Sequence, residues 1–326
     1  MVKKGSIYVL VLALLFLAVT GCGPTKQSAN PPGKVPSASE APKKTVALVM
    51  KTLTNPFFIK MEQGARRAER EFGIKLIVKT GAQETSIDQQ IAIVEELTAA
   101  KVDAIVIAPG SSTELIPALK KAQDTGIAIV NIDNRIDPAV AEQMGLKTVP
   151  FISVDNEHGM YLSVKYVSDQ IKKPTEAILL EGIPEAKNAQ ERKAGALRAI
   201  KENPKLRLVG TQSAHWKIDE AMKVTSDFFN DHPNIEAIFC ANDMMALGSI
   251  EYLQQSGKTG LPVAGFDALE EAKSALKKGT LTVTIDQNAE QQGYMGVATA
   301  MKMLQGKTVP PETLINVKVV TRKTVE

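Results

Sequence analysis

The chain has 326 residues, with 39 basic against 36 acidic side chains and a net charge of +3. Removing residues 1–21, which carry Lys3 and Lys4 and no acid, leaves +1, so the chain lacks the basic excess a nucleic-acid partner demands. A composition 44% hydrophobic and 23% charged is that of a soluble globular protein, and the length is too great for one compact core and suits two α/β domains.

The amino terminus reads as an export signal. Lys3 and Lys4 form its charged region, and residues 7–19 are an apolar run too short for a stable membrane span. The run ends in Leu17-Ala18-Val19-Thr20-Gly21-Cys22, which resembles a bacterial lipoprotein signal. That resemblance implies lipidation of Cys22 and cleavage just before it. Cys240 is then left without a disulfide partner; it sits in the apolar run Ala237-Ile238-Phe239 and reads as a small buried residue. Residues 23–44 are rich in Pro, Ser, Ala and Lys and read as a disordered tether. About twenty such residues span roughly 25 Å, enough to hold a domain off a lipid surface.

From Thr45 the pattern becomes regular. Strand-like runs at residues 46–50, 76–78, 104–108 and 128–132 alternate with helical stretches at 59–72 and 87–99. Ile91, Val94 and Leu97 fall on one face of the latter. This rhythm predicts a parallel sheet covered on both faces. A second series begins near Phe151, with runs at 151–154, 177–180, 206–210, 237–240 and 263–266. Two series predict two doubly wound parallel-sheet lobes with a cleft between them. The remainder, 281–287, 291–304 and 317–321, is too little for a third domain and is expected to cross back through hinge strands. The expected lobes are 45–153 plus 288–315, and 154–287 plus 316–326.

Open α/β sheets bind ligands beyond the carboxyl ends of their strands. The first such end carries Lys51-Thr52-Leu53-Thr54-Asn55-Pro56-Phe57-Phe58. Asn55 both donates and accepts hydrogen bonds, Pro56 suits a helix start, and the two Phe present apolar faces beside the amide. A sugar, with hydroxyl edges and C–H faces, fits that combination; a capped helix with two core Phe is the plain alternative. Later strand ends carry Asp133-Asn134-Arg135, Glu181-Gly182 with residues 187–192, His215-Trp216, Asn242-Asp243, Asp267 and Gln287. Trp216 is the one Trp in the chain and either stacks on a ring or joins the core.

Here the chain resembles the periplasmic sugar-binding proteins of the ribose-binding type, the substrate-binding components of ATP-binding-cassette importers. The resemblance covers about residues 45–322. It is carried by the Lys51–Phe58 segment, Ile132-Asp133, residues 237–248, Val263-Ala264-Gly265-Phe266-Asp267, and Thr284-Ile285-Asp286-Gln287. It implies the type I periplasmic binding protein fold. It also implies that Asn55, Phe57 and Phe58 bind ligand from the first lobe, the two Phe stacking on the ring. Asp133 matches an acid that accepts from ring hydroxyls, and Trp216 stands where an aromatic is frequent. Asn242, Asp267 and Gln287 match hydrogen-bonders of the second lobe and hinge, with Phe266 packed beside them. Departures bear on the ligand. Lys51 replaces a small hydroxyl residue, Asn134 stands where ribose binders carry Arg, and Gln190 aligns with a frequent second-lobe Arg, with Glu191 and Arg192 following. Ala108-Pro109 lacks an amide side chain. These changes disfavour ribose and point to another pentose, a hexose or a polyol, with an acidic sugar left open by Lys51 unless Lys51 pairs with Asp133 or Asp267.

The expected protein is therefore a lipid-anchored monomer on the outer face of the cytoplasmic membrane or in the periplasm. It closes on a small carbohydrate about hinges near 153–155, 286–287 and 315–316 and delivers it to a membrane permease. A sugar sensor that shows its closed form to a chemoreceptor or sensor kinase is the alternative. No phosphate-binding glycine loop, nucleophile elbow or zinc helix is present, and His158, His215 and His232 are scattered, so neither catalysis, a cofactor nor a metal site is expected. An acid/base pair of Asp133 and Asp267 is the one enzymatic reading available. A transcription regulator of the same fold would need a helix-turn-helix where this chain has its signal and tether.

Overall fold

The computed structural model describes residues 43–325. The expected signal and lipidation site, and the tether as far as residue 42, lie outside the described residues. Lys44, expected in the tether, already belongs to the fold: its Nζ lies 2.8 Å from Asp103 Oδ1 and its carbonyl accepts from Lys75 N.

The first strand, β1 (Thr45–Met50), has residues 46–50 wholly buried. An aliphatic run without a polar side chain has to be covered on both faces. Val46, Leu48 and Met50 enter one apolar cluster and Ala47 and Val49 another, the two-residue alternation of a strand. The helix α1 (Pro56–Phe72) follows, started by Asn55 and Pro56 and ended by Gly73 at φ 62°. Next come β2 (Lys75–Thr80), α2 (Ile87–Ala99), β3 (Ala104–Ile107), α3 (Ile116–Asp124), β4 (Ala128–Ile132), α4 (Pro138–Gln143) and β5 (Phe151–Val154). The second series is α5 (Asn156–Ser168), β6 (Thr175–Glu181), α6 (Lys187–Lys201), β7 (Leu206–Ser213), α7 (Ile218–Asp231) and β8 (Ile235–Cys240). It continues through α8 (Asp243–Gln255), β9 (Val263–Ala264), α9 (Glu270–Lys278) and β10 (Val283–Asp286). The chain ends with α10 (Ala289–Leu304), β11 (Glu312–Ile315), β12 (Lys318–Thr321) and α11 (Arg322–Val325).

These strands make two six-stranded sheets, ordered β11-β5-β4-β3-β1-β2 and β12-β10-β9-β8-β6-β7. All pairings are parallel except β10 with β12. Each sheet reverses its winding beside its first strand, the doubly wound pattern in which a crevice opens beyond the carboxyl ends. The fold is that of a type I periplasmic binding protein. One expectation is corrected: Phe151–Val154, read as opening the second series, pairs with β4 and β11 in the first sheet. Its four residues are all buried, so hydropathy alone does not say to which sheet it belongs. The chain passes between the sheets after β5, after β10 and again between β11 and β12. α10 returns to pack on α1, and α5 packs on α6.

Candidate functional site

The strand ends of the two sheets face one another across a single buried cavity. At the end of β1, Lys51 is 2% exposed, and its Nζ sits 2.9 Å from Asp133 Oδ2 and 3.8 Å from Glu84 Oε2. An ammonium this deep needs counter-charges, and two acids that follow β2 and β4 supply them. Asn55 does two things with one amide: Oδ1 accepts from Phe57 N (3.0 Å) and caps α1, while Nδ2 donates to Glu84 Oε1 (2.9 Å). Phe57 and Phe58, edge to face at 5.0 Å, add an aromatic wall.

The second lobe contributes Asn188 and Arg192 from α6, Trp216 after β7, Asn242 after β8, Asp267 after β9 and Gln287 after β10. Arg192 is fixed on every side. Nε donates to Asn156 Oδ1 and Nη1 to Ala241 O, both at 2.9 Å, and the guanidinium lies over the rings of Phe266 (3.8 Å) and Trp216 (5.4 Å). Asp267 Oδ1 accepts from Gln287 Nε2 at 2.6 Å and stands 3.7 Å from Arg192 Nη1. Asn242 Oδ1 caps α8 through Met245 N (2.9 Å), which leaves its amino group for the cavity. As the side chains stand, the cavity is about 20 Å³, room for a water or two.

Three cavity residues hold strained backbone: Asp133 at φ 63°, Trp216 at 67° and Asp267 at 126°. Such positions cost on the order of 1–3 kcal/mol each and persist where surroundings enforce them. Asp133 is held by its N–H to Ile152 O and by Ser153 Oγ on its carbonyl (2.7 Å), Asp267 by its N–H to Ile285 O. The Trp216 indole occupies the space a side chain at Gly182 would take.

The electrostatics follow from burial. Burial pushes the Glu84 carboxyl above its ordinary value against the pull of Lys51. It pushes Asp267 up further against Arg192, and it holds the Arg192 guanidinium below its usual value against Asp267. Among the described residues four buried side-chain atoms lack a hydrogen-bond partner: Asp133 Oδ2, Asn188 Oδ1, Trp216 Nε1 and Gln292 Oε1. The first three belong to residues around the cavity. Asp133 Oδ2 has the Lys51 ammonium beside it, but off the direction of a hydrogen bond. One acceptor, Asn188 Oδ1, and one donor, Trp216 Nε1, are thus left open where two lobes meet, beside a carboxylate oxygen held by charge alone.

The cavity gathers Lys51, Asn55, Phe57, Phe58, Asp133, Trp216, Asn242, Asp267 and Gln287, all singled out in the sequence. Three others do not line it. Gln190 is exposed and donates to Pro184 O (2.9 Å), and the second-lobe guanidinium comes from Arg192 instead. On α6 residues 188 and 192 are four apart and share a face, whereas 190 lies two positions, about 200°, round the helix. The expectation that Gln190 stands in the site where relatives carry an Arg is corrected accordingly. Asn134 turns away to Pro109 O (3.1 Å) and Ser112, and Phe266 lies beneath Arg192 as its stacking surface. Asn188 and Arg192 belong to the polar stretch 187–192 noted in the sequence, where Gln190 alone was singled out; Glu84, after β2, is the cavity residue the sequence did not point to.

Comparison with known proteins agrees with this architecture. The periplasmic binding protein domain family matches residues 46–308. The D-ribose/D-allose-binding protein of Pseudomonas aeruginosa is 40% identical over 276 residues, 83% of this chain and 85% of that protein. The ribose import binding protein RbsB of Bacillus subtilis is 31% identical over 323 residues, 98% of this chain and 100% of that one. An ABC transporter periplasmic solute binding protein from Actinobacillus succinogenes, solved with bound D-allose, superposes with a TM-score of 0.82 at 37% identity, covering 87% of this chain and 99% of that one. A match that runs through both sheets and onto the returning helix leaves one assignment: the chain belongs to the periplasmic binding protein family, in its ribose-type sugar-binding group.

Proposed function

We propose that this protein captures a neutral aldose, D-allose or D-ribose, between its lobes and hands it to an ATP-binding-cassette permease. The observation that carries the reading is the pair of open, buried polar atoms on Asn188 and Trp216, beside an Asp133 oxygen that has only the Lys51 charge. An unpaired buried polar atom costs about 1–3 kcal/mol, and a ring with hydroxyls on several carbons offers both donors and acceptors to such atoms. Phe57, Phe58 and Trp216 supply the apolar surfaces for the ring's C–H faces. Charge supports a neutral ligand. Lys51 is committed to Asp133 and Glu84, and a sugar carboxylate would meet three acids for two cations. Arg192 removes the ground for setting ribose aside. D-allopyranose is D-ribopyranose with a hydroxymethyl group added at C5, so one set of partners for the ring hydroxyls serves both.

Calorimetry with D-allose, D-ribose, D-glucose, D-galactose, myo-inositol and D-glucuronate tests this. Micromolar binding of allose or ribose, about −8 kcal/mol, is expected, with glucose, the C3 epimer of allose, markedly weaker. Absence of binding by both, or a preference for glucuronate, refutes the reading. Delivery to a permease and attachment through lipidated Cys22 complete the proposal. They rest on the leader sequence and the kinship with import proteins, and mass analysis of the mature amino terminus tests the anchor.

A further inference from the structure

α6 carries Asn188 and Arg192 into the cavity, yet its own N-cap residue, Ala186, has no side chain able to cap it. The first N–H groups of a helix need acceptors when buried. Here they find them on the other lobe. Ser112 Oγ, in the loop after β3, accepts from Lys187 N (2.9 Å), and Asn134 Oδ1, after β4, accepts from Asn188 N (3.1 Å). Ser112 N also donates to Glu185 O (3.2 Å). The two capping groups are also held by bonds within the first lobe. Asn134 Nδ2 donates to Pro109 O (3.1 Å), Asn134 O accepts from Asn131 Nδ2 (2.8 Å), and Ser112 O accepts from Asp137 N (2.8 Å). Both side chains are buried, and they contact each other.

We infer that Ser112 and Asn134 are positioning residues that cap α6 across the cleft, so that closing the lobes completes a helix and aligns Asn188 and Arg192. Neither side chain lines the cavity, so their effect on affinity runs entirely through the closing equilibrium. When the lobes part, the α6 amides exchange a fixed acceptor for water. Trimming one cap then raises Kd by the factor lost from closure, about five-fold for a single N-cap. A ligand that needs the closed form feels the whole of that factor.

The test uses the full chain with Cys22→Ser and nitroxide labels at Glu114→Cys and Leu197→Cys, exposed positions on opposite lobes. Double electron–electron resonance then reads the interlobe distance without ligand. Ser112→Ala should shift the distribution towards longer distances, and Ser112→Thr, which keeps the hydroxyl, should restore it. Calorimetry with D-allose and D-ribose should show about five-fold weaker binding for Ser112→Ala, recovered in Ser112→Thr. An unchanged distance distribution in Ser112→Ala overturns the inference, whatever its melting temperature. The distance measurement involves no sugar, so it judges the cap even if neither sugar binds.

Discussion

Arg192→Lys tests the site most directly, because it keeps the charge and removes only the geometry. The guanidinium serves Asn156 Oδ1 and Ala241 O through two different nitrogens while stacked on Phe266 at 3.8 Å. A lysine has one nitrogen and cannot reach both acceptors and still face the cavity. Two buried acceptors are left short at about 1–3 kcal/mol each, and the contact with Phe266 loses part of about 0.5–2 kcal/mol. Taking about 3 kcal/mol as the net loss, the melting temperature falls by roughly 6–12 °C for a lobe of this size. Binding loses charge-assisted hydrogen bonds worth about 1.5–3 kcal/mol, a rise in Kd of roughly 10- to 150-fold. Calorimetry below the variant's melting temperature measures the second effect, scanning calorimetry the first. Gln190→Ala is the control, since its exposed amide bonds only Pro184 O, and its Kd should stay within about two-fold. If Arg192→Lys binds like wild type, or Gln190→Ala is the damaging change, the placement of the guanidinium in the site is wrong.

Three further outcomes are expected. Gly182→Ala puts a Cβ into the Trp216 indole; overpacking of about 1–3 kcal/mol displaces the ring and weakens sugar binding by roughly 5- to 150-fold, and unchanged titrations would refute the role of that contact. Burial pushes the Asp243 carboxyl up to about 6 and Asp267 up as well. Acids raised in the folded state favour folding fully below their unfolded value near 4, and that stability is lost as pH rises through the folded value. The ligand-free melting temperature should therefore fall from pH 5.5 to 7, a window above both the folded value near 2 and the ordinary value of 4.5 between which the exposed, paired Glu270 adds stability; a rise there would refute the assignment. Finally, burial pushes the Cys240 thiol up to about 12, so a maleimide should label it only after denaturation.

Much of this was legible in the sequence because the physics is local. The short aliphatic runs of β1 and β3, set in an alternation with helical stretches, read as strands covered on both faces, and the helix expected at 87–99 has those bounds in the structure. Polar residues immediately after an apolar strand, such as Lys51, Asp133 and Asp267, have little choice but the sheet's end. What escaped depends on longer range. Arg192 sits a turn inside a helix, and a two-residue offset in alignment replaced it with Gln190, which faces solvent. Asn134 adjoins Asp133 and shares its polarity, yet the left-handed turn at Asp133 sends the two side chains in different directions. β5 carries nothing in its own four residues to choose between sheets; its partners β4 and β11 decide, and β11 lies some 160 residues further along the chain.

The same geometry explains how a weakly bonded sugar can govern a motion of whole lobes. The strained backbone at Asp133, Trp216 and Asp267 belongs to each lobe by itself and is present whether the cleft is open or shut. The open polar atoms are different, because water reaches them when the lobes part and only a ligand can pair them when the lobes close. Closure without ligand therefore sets the cost of about two such atoms, 1–3 kcal/mol each, against the caps on Lys187 N and Asn188 N, the Ser112 N–Glu185 O bond and the exposed Lys60–Glu270 pair at 2.6 Å. A surface pair adds about 0–1 kcal/mol and a cap about 1, so the two sides lie within a few kcal/mol of each other. A ligand that pairs those atoms removes the opposing cost and tips this near balance towards the closed form. The closed form is then more populated with ligand than without it.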